Sequence, residues 1–143
     1  MAFAYSNRTN NNPYREKDKM KYLIQLIRPH QWIKNLIVLL PVFFGGALLQ
    51  WNAVYSGLIT ALAFSLTASS IYCLNDIVDI NDDRQHPIKC HRPMASGAVS
   101  IVQGYILMGL MFILSMSSTF LLPAHQVETA SVILFYWLLN IAY

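Results

Sequence analysis

Charge is what this sequence is short of. Only 12% of its 143 residues are Asp, Glu, Lys or Arg, against about 25% in an ordinary soluble domain. Apolar residues make up 55%. Together these figures exclude an ordinary water-soluble globule and argue for an integral membrane protein. Lysine and arginine are absent from whole stretches: none lies near Gln50 to Gly57 or near Phe120 to Gln126. Cysteine is scarce too, with Cys73 and Cys90 alone, which excludes a disulfide-stapled scaffold. Acidic residues are nearly confined to one place, and beyond Asp83 only Glu128 remains.

What charge there is follows an order. Arg8, Arg15, Lys17, Lys19, Lys21, Arg28 and Lys34 precede the first apolar run, and Arg84, Lys89 and Arg92 follow the second. Counted along the chain, the polar stretches carry 7, 0, 3 and 0 basic residues. That alternation is the positive-inside pattern, and it places the N-terminus and the acidic stretch in the cytoplasm. The net charge of +3 therefore reports topology, not nucleic-acid binding. Both cysteines flank the acidic stretch on the cytoplasmic side and read as free thiols. The spacing of His86, Cys90 and His91 matches no usual zinc pattern.

Residues 1–19 are polar and predict a disordered cytoplasmic tail; residues 20–143 form the membrane domain. Met20, Leu23, Ile24 and Ile27 recur at helical spacing with Lys21, Gln25 and Arg28 between them. This predicts an amphipathic helix on the cytoplasmic leaflet, ending at Pro29, in contact with membrane lipid. Four spans follow. Trp32 to Trp51 is twenty residues, about 30 Å as a helix, with a tryptophan at each interface. Pro41 and Gly45-Gly46 should bend it. Val54 to Leu74 is the second span, and Ser100 to Leu122 the third, ended by Pro123. Val127 to Tyr143 opens a fourth. The fold class is all-α, a polytopic transmembrane helix bundle. The abrupt stop at Tyr143, without polar flanking residues, suggests a fragment of a longer protein.

Four of the seven acidic residues crowd into Leu74-Asn75-Asp76-Ile77-Val78-Asp79-Ile80-Asn81-Asp82-Asp83-Arg84. Carboxylates against a membrane-length segment are costly to desolvate, so something must offset them. On a helix Asp76, Asp79 and Asp83 fall at i, i+3 and i+7, within one face, with the Asn75 amide beside them. Such oxygen donors suit a hard cation, and Mg²⁺ keeps positions open for substrate phosphate. Arg84, Lys89 and Arg92 can grip the same anion. Lys34 lies on the same side and can face the aspartates if spans one and two are neighbours. The bland alternative is a solvated acidic helix end with a snorkelling Lys34.

Asn75-Asp76-x-x-Asp79-x-x-x-Asp83-Arg84, followed by Arg92-Pro93-x-x-Ser96-Gly97, resembles the first signature region of the UbiA superfamily of intramembrane prenyltransferases. Arg28-Pro29-His30-Gln31-Trp32-x-Lys34-Asn35 and the stretch from Asp83 to Gly97 are similar to the branch that includes decaprenyl-phosphate phosphoribosyltransferase. The resemblance implies a nine-helix bundle, of which this chain holds about four spans, in a bacterial plasma (inner) membrane with the site facing the cytoplasm. It implies that Asp76, Asp79 and Asp83 are catalytic and bind Mg²⁺. Asn75, Lys34, Arg84, Lys89 and Arg92 would hold substrate phosphate. It also implies a second aspartate motif, which this sequence does not contain, so the isolated chain is expected to be inactive.

Two reactions are open under that resemblance. In one, 5-phosphoribosyl diphosphate gives its phosphoribosyl group to polyprenyl phosphate. In the other, a prenyl diphosphate gives its prenyl group to an aromatic or other small acceptor. A reading from a different class is a non-catalytic membrane protein that binds polyprenyl phosphate.

Overall fold

The computed structural model describes residues 13–143, with side chains from Asp18 onward. Every regular element among them is helical. In chain order these are α1 (Pro13–Ile27), a 3₁₀ segment (Pro29–Leu39), α2 (Leu40–Phe44) and a 3₁₀ turn (Ala47–Leu49). Then come α3 (Trp51–Val78), α4 (Ile80–Gln85), a 3₁₀ turn (Lys89–His91), α5 (Ile101–Thr119) and α6 (Gln126–Ala142).

α3 is the central element, and α1, the 3₁₀ segment, α5 and α6 all pack on it. Its 28 residues rise about 42 Å, more than the ~30 Å of a bilayer's hydrocarbon. The last turns of α3 carry Asp76, the first carboxylate of the acidic stretch. α3 and α5 are each long and apolar enough to cross a membrane. α6, at 17 residues, rises about 26 Å.

Small polar residues bring these helices together. The Ser115 hydroxyl of α5 lies 2.7 Å from the Ala63 carbonyl and 2.7 Å from the Thr67 hydroxyl of α3. Such side chains allow close backbone approach and satisfy one another away from water. α6 is fixed by Trp137, whose indole N–H donates to the Ser70 hydroxyl at 3.1 Å and whose ring stacks on Phe112 at 4.3 Å. At the other end of α3 an apolar cluster gathers Leu26, Cys73, Ile80, Met94, Val99, Leu107 and Met111. It seats α1 and the loop before α5 against the bundle.

Three expectations change. The first span is not one α-helix from Trp32 to Trp51. Pro29 to Leu39 is a 3₁₀ helix, and only Leu40 to Phe44 is α-helical before Gly45-Gly46 ends it. The physical reason is lateral docking. Trp32 donates its indole N–H to Ser69 at 2.9 Å, and Asn35 donates to Ser65 at 3.2 Å. Residues three apart eclipse one another in a 3₁₀ helix, so Trp32 and Asn35 share one face towards α3. Trp32 is therefore a bundle contact. At about 2.0 Å per residue the eleven 3₁₀ residues still rise about 22 Å.

The amphipathic helix also presents a different face. Leu26 is fully buried, with Tyr22, Leu23 and Ile27 packed beside it, while Met20 and Ile24 are exposed. Finally, of the residues 1–19 expected to form a disordered tail, 1–12 lie outside the described residues, and 13–19 belong to α1. Pro13 suits a first helical position, where no N–H is needed.

Candidate functional site

The acidic stretch straddles a break between two helices. α3 ends at Val78, Asp79 turns at φ −86° and ψ 3°, and α4 resumes at Ile80. The helical hydrogen bonds nevertheless continue through it. Asp79 N–H donates to the Asn75 carbonyl at 2.9 Å, and Asp83 N–H donates to the Asp79 carbonyl at 2.8 Å. Spacing is thus preserved, and helical geometry sorts the three carboxylates. Seven residues return to within about 20° of the start, whereas three residues fall about 60° short. Asp76 and Asp83 accordingly share a buried face, and Asp79 is exposed.

Two arginines neutralise the buried pair. Arg92 donates from one nitrogen to Asp83 Oδ2 at 2.8 Å and approaches Asp76 Oδ1 at 3.5 Å. Arg28 donates to the same Asp76 Oδ1 at 2.6 Å. The two carboxylate side chains are only 3% and 4% exposed, and the two guanidinium side chains 24% and 30%. Unpaired carboxylates at this depth would be prohibitively costly. The result is one chain of charges, Arg28–Asp76–Arg92–Asp83, partly exposed on its arginine side.

The loop after α4 is folded to deliver Arg92. His86 Nδ1 accepts from the Ile88 and Lys89 amides at 3.1 and 3.2 Å. This gives His86 a turn-capping role. The Pro93 carbonyl accepts from Val99 N–H at 3.0 Å, and Gly97 takes a positive φ of 79°. Arg84 reaches across with Nε donating to the Ala95 carbonyl at 3.1 Å. Met94 plugs the loop onto Gly104 of α5, where an added Cβ would lie 2.8 Å from its terminal methyl.

The sequence-predicted residues are distributed unevenly around this centre. Asp76, Asp83 and Arg92 meet. Asn75 and Asp79 lie beside them, exposed, on successive turns. Arg84 is spent on the loop backbone, and Lys89 is exposed on the Lys89–His91 turn. Lys34 is exposed on the 3₁₀ segment, between the Trp32 and Asn35 anchors, and makes no ion pair with the aspartates among the described residues. Arg28 was legible only as part of the positive-inside count and of the Arg-Pro-His-Gln-Trp motif. Its contact with a carboxylate 48 residues away has no local signature. Cys73 and Cys90 are free thiols, as expected.

The donors fit a hard cation in kind and fall short in number. Asp76 and Asp83 each bring an oxygen to the same guanidinium nitrogen, so a positive group already bridges them. Among the described residues no three His, Cys, Asp or Glu side chains gather closely enough to hold a metal ion. Asp76 and Asp83 offer carboxylate oxygens of the kind a hard cation takes, with Arg92 between them and Asp79 apart on the exposed side.

An all-helical, membrane-type bundle that sets buried carboxylates and arginines at the end of its central helix defines an intramembrane protein with an ionic site. The chain belongs to the UbiA prenyltransferase family, whose model matches residues 38–143. It is 38% identical over 113 residues to a decaprenyl-phosphate phosphoribosyltransferase of Mycolicibacterium smegmatis, covering 76% of this chain and 36% of the relative. It is 34% identical over 125 residues to the protein of the same name from Mycobacterium tuberculosis, covering 85% and 40%. An uncharacterized Sinorhizobium fredii protein, y4nM, is 33% identical over 117 residues, covering 82% of this chain and 22% of its own length. The chain thus spans between about a fifth and two fifths of these relatives.

Proposed function

We propose that this chain forms the diphosphate-gripping part of a Mg²⁺-dependent membrane transferase, with 5-phosphoribosyl diphosphate as donor and polyprenyl phosphate as acceptor. The observation that carries this reading is the arginine–carboxylate chain beside exposed Asn75 and Asp79. It occurs in a chain 38% identical to a decaprenyl-phosphate phosphoribosyltransferase. The site would face the cytoplasm, following the charge alternation of the sequence.

The chemistry asks for little beyond charge placement. The bond between the anomeric carbon of ribose and the diphosphate oxygen breaks, and its electron pair leaves with the diphosphate. A phosphate oxygen of the lipid forms the new bond to that carbon. This nucleophile is already anionic, so no general base is required. Arginine and lysine side chains stabilise charge that grows on the departing oxygens. Arg92 and Lys89, whose side chains reach the surface, would take that role, and Asn75, also exposed, would offer an amide to the same anion. Lys34 and Arg84 would need to swing from their present positions to join them. Mg²⁺, when bound, would neutralise charge on the leaving group. Asp76, Asp79 and Asp83 would hold it together with ligands from outside this segment.

Prenyl transfer to a small acceptor is the second reading, favoured by the family's description as prenyltransferases. The two are separated with membranes carrying the protein expressed from its native reading frame. Labelled phosphoribosyl diphosphate with polyprenyl phosphate is compared with a prenyl diphosphate and an aromatic acid, each with Mg²⁺. Label entering the lipid fraction from the first pair supports the proposal. Label reaching only the aromatic acid favours the second reading, and no transfer from either pair refutes both.

A further inference from the structure

Ser65, Ser69, Tyr72 and Asp76 fall at i, i+4, i+7 and i+11 of α3, one continuous stripe along a single face. The N-terminal elbow docks on every one of them. Asn35 donates to Ser65, and Trp32 donates to Ser69. The Ser69 hydroxyl in turn donates to the Ile27 carbonyl at 2.7 Å. The Arg28 guanidinium lies 5.0 Å from the centre of the Tyr72 ring and 2.6 Å from Asp76 Oδ1.

Arg28 is held in a costly conformation to do this. Its backbone is left-handed, φ 55° and ψ 57°, a region where the Cβ of a side-chain-bearing residue crowds the backbone. Glycine would occupy it without strain. The fold keeps arginine there, between the end of α1 and the 3₁₀ segment. The side chain thereby reaches down the α3 stripe to the first carboxylate of the acidic stretch.

We propose that Arg28 is a positioning residue for the acidic site. From the N-terminal elbow it fixes Asp76, and through Asp76 it fixes the Arg92–Asp83 grip. Arg28 and Arg92 share Asp76 Oδ1, at 2.6 and 3.5 Å. With Arg28 present, Asp76 is satisfied and Arg92 can make its shorter contact with Asp83. Without Arg28, Asp76 stays buried with Arg92 as its only ionic partner among the described residues, and Arg92 is drawn off Asp83. Arg28 then acts through carboxylate placement, without touching substrate. This inference deepens the transferase reading and rests on it.

The test is a double-mutant cycle on the protein expressed from its native reading frame. Arg28→Met, Arg28→Lys, Asp76→Asn and the double variant Arg28→Met/Asp76→Asn are purified in detergent and shown to be folded by thermal unfolding. Arg28→Met should lower kcat by at least about tenfold with the donor KM changed by less than about twofold. Arg28→Lys should recover a substantial part, because an ammonium can still reach Asp76. The double variant should be no worse than Asp76→Asn alone, since residues acting as a unit are not additive. Multiplying losses, or a donor KM that rises while kcat holds, would show that Arg28 touches the donor and would overturn the proposal. So would a folded Arg28→Met variant with wild-type kcat. The same cycle read in unfolding separates the two claims. Absent coupling there removes Arg28's hold on Asp76, whereas a wild-type protein without transfer refutes the transferase reading on which its catalytic role rests.

Discussion

Arg92 and Asp83 stand nine residues apart in sequence, and their side chains meet at 2.8 Å. Between them lie the end of α4, the His86-capped turn and the Lys89–His91 turn. The contact closes a loop whose far limb, Met94 and Val99, is buried against α5. An ion pair at the mouth of the bundle thus also fastens the connection between the second and third apolar runs. Charge neutralisation and loop folding depend on the same guanidinium.

Replacing Arg92 with Gln should therefore weaken the fold as well as the site. Removing one partner of a buried pair costs about 3–5 kcal/mol. Arg92 is partly exposed, so roughly 1–3 kcal/mol is expected here. Denaturant unfolding in mixed micelles measures it. A change below about 0.5 kcal/mol would show that Asp83 finds water readily and that the loop does not lean on Arg92.

Trp32→Phe keeps the ring and deletes the indole N–H that reaches Ser69. Interhelical hydrogen bonds in membranes average about 0.6 kcal/mol, so a loss of that order is expected. Ser69→Ala in the Trp32→Phe background should then cost less than in the wild type. Full additivity of the two would place Trp32 at the lipid interface instead.

The long helices were legible because composition alone decides them. Val54 to Leu74 and Ser100 to Leu122 are predominantly apolar runs without a charged residue, and the Ser100–Gln103 capping box starts α5 within one residue of the expected point. The first span was not, because its shape is set by side chains of another helix. Nothing local in Trp32 to Asn35 reveals that Ser65 and Ser69 wait for them. The acidic stripe was legible as a helical spacing, and its division into two buried carboxylates and an exposed Asp79 came from the partners. Arg92 was nameable from its nearness in sequence to the aspartates. Arg28 reaches Asp76 only after α1 has turned back through a left-handed residue, and no spacing rule encodes that.

The two cysteines report topology without mutation. Cys73 is fully buried in α3, and Cys90 is half-buried in the loop. A membrane-impermeant maleimide should label Cys90 in inside-out vesicles and not in right-side-out ones, leaving Cys73 unmodified in both. Labelling of Cys90 from the outer face would reverse the orientation deduced from the basic residues.

The most direct measurement concerns Asp79, the exposed carboxylate beside the ion-paired chain. Labelled phosphoribosyl diphosphate is titrated onto the protein expressed from its native reading frame while Mg²⁺ is varied. Asp79→Asn is compared with the wild type. Being exposed, the substitution should leave unfolding unchanged. The account predicts donor binding that rises with Mg²⁺ in the wild type and falls on the order of tenfold or more in Asp79→Asn. Equal Mg²⁺-dependent binding by the two proteins, or binding indifferent to Mg²⁺, would contradict it.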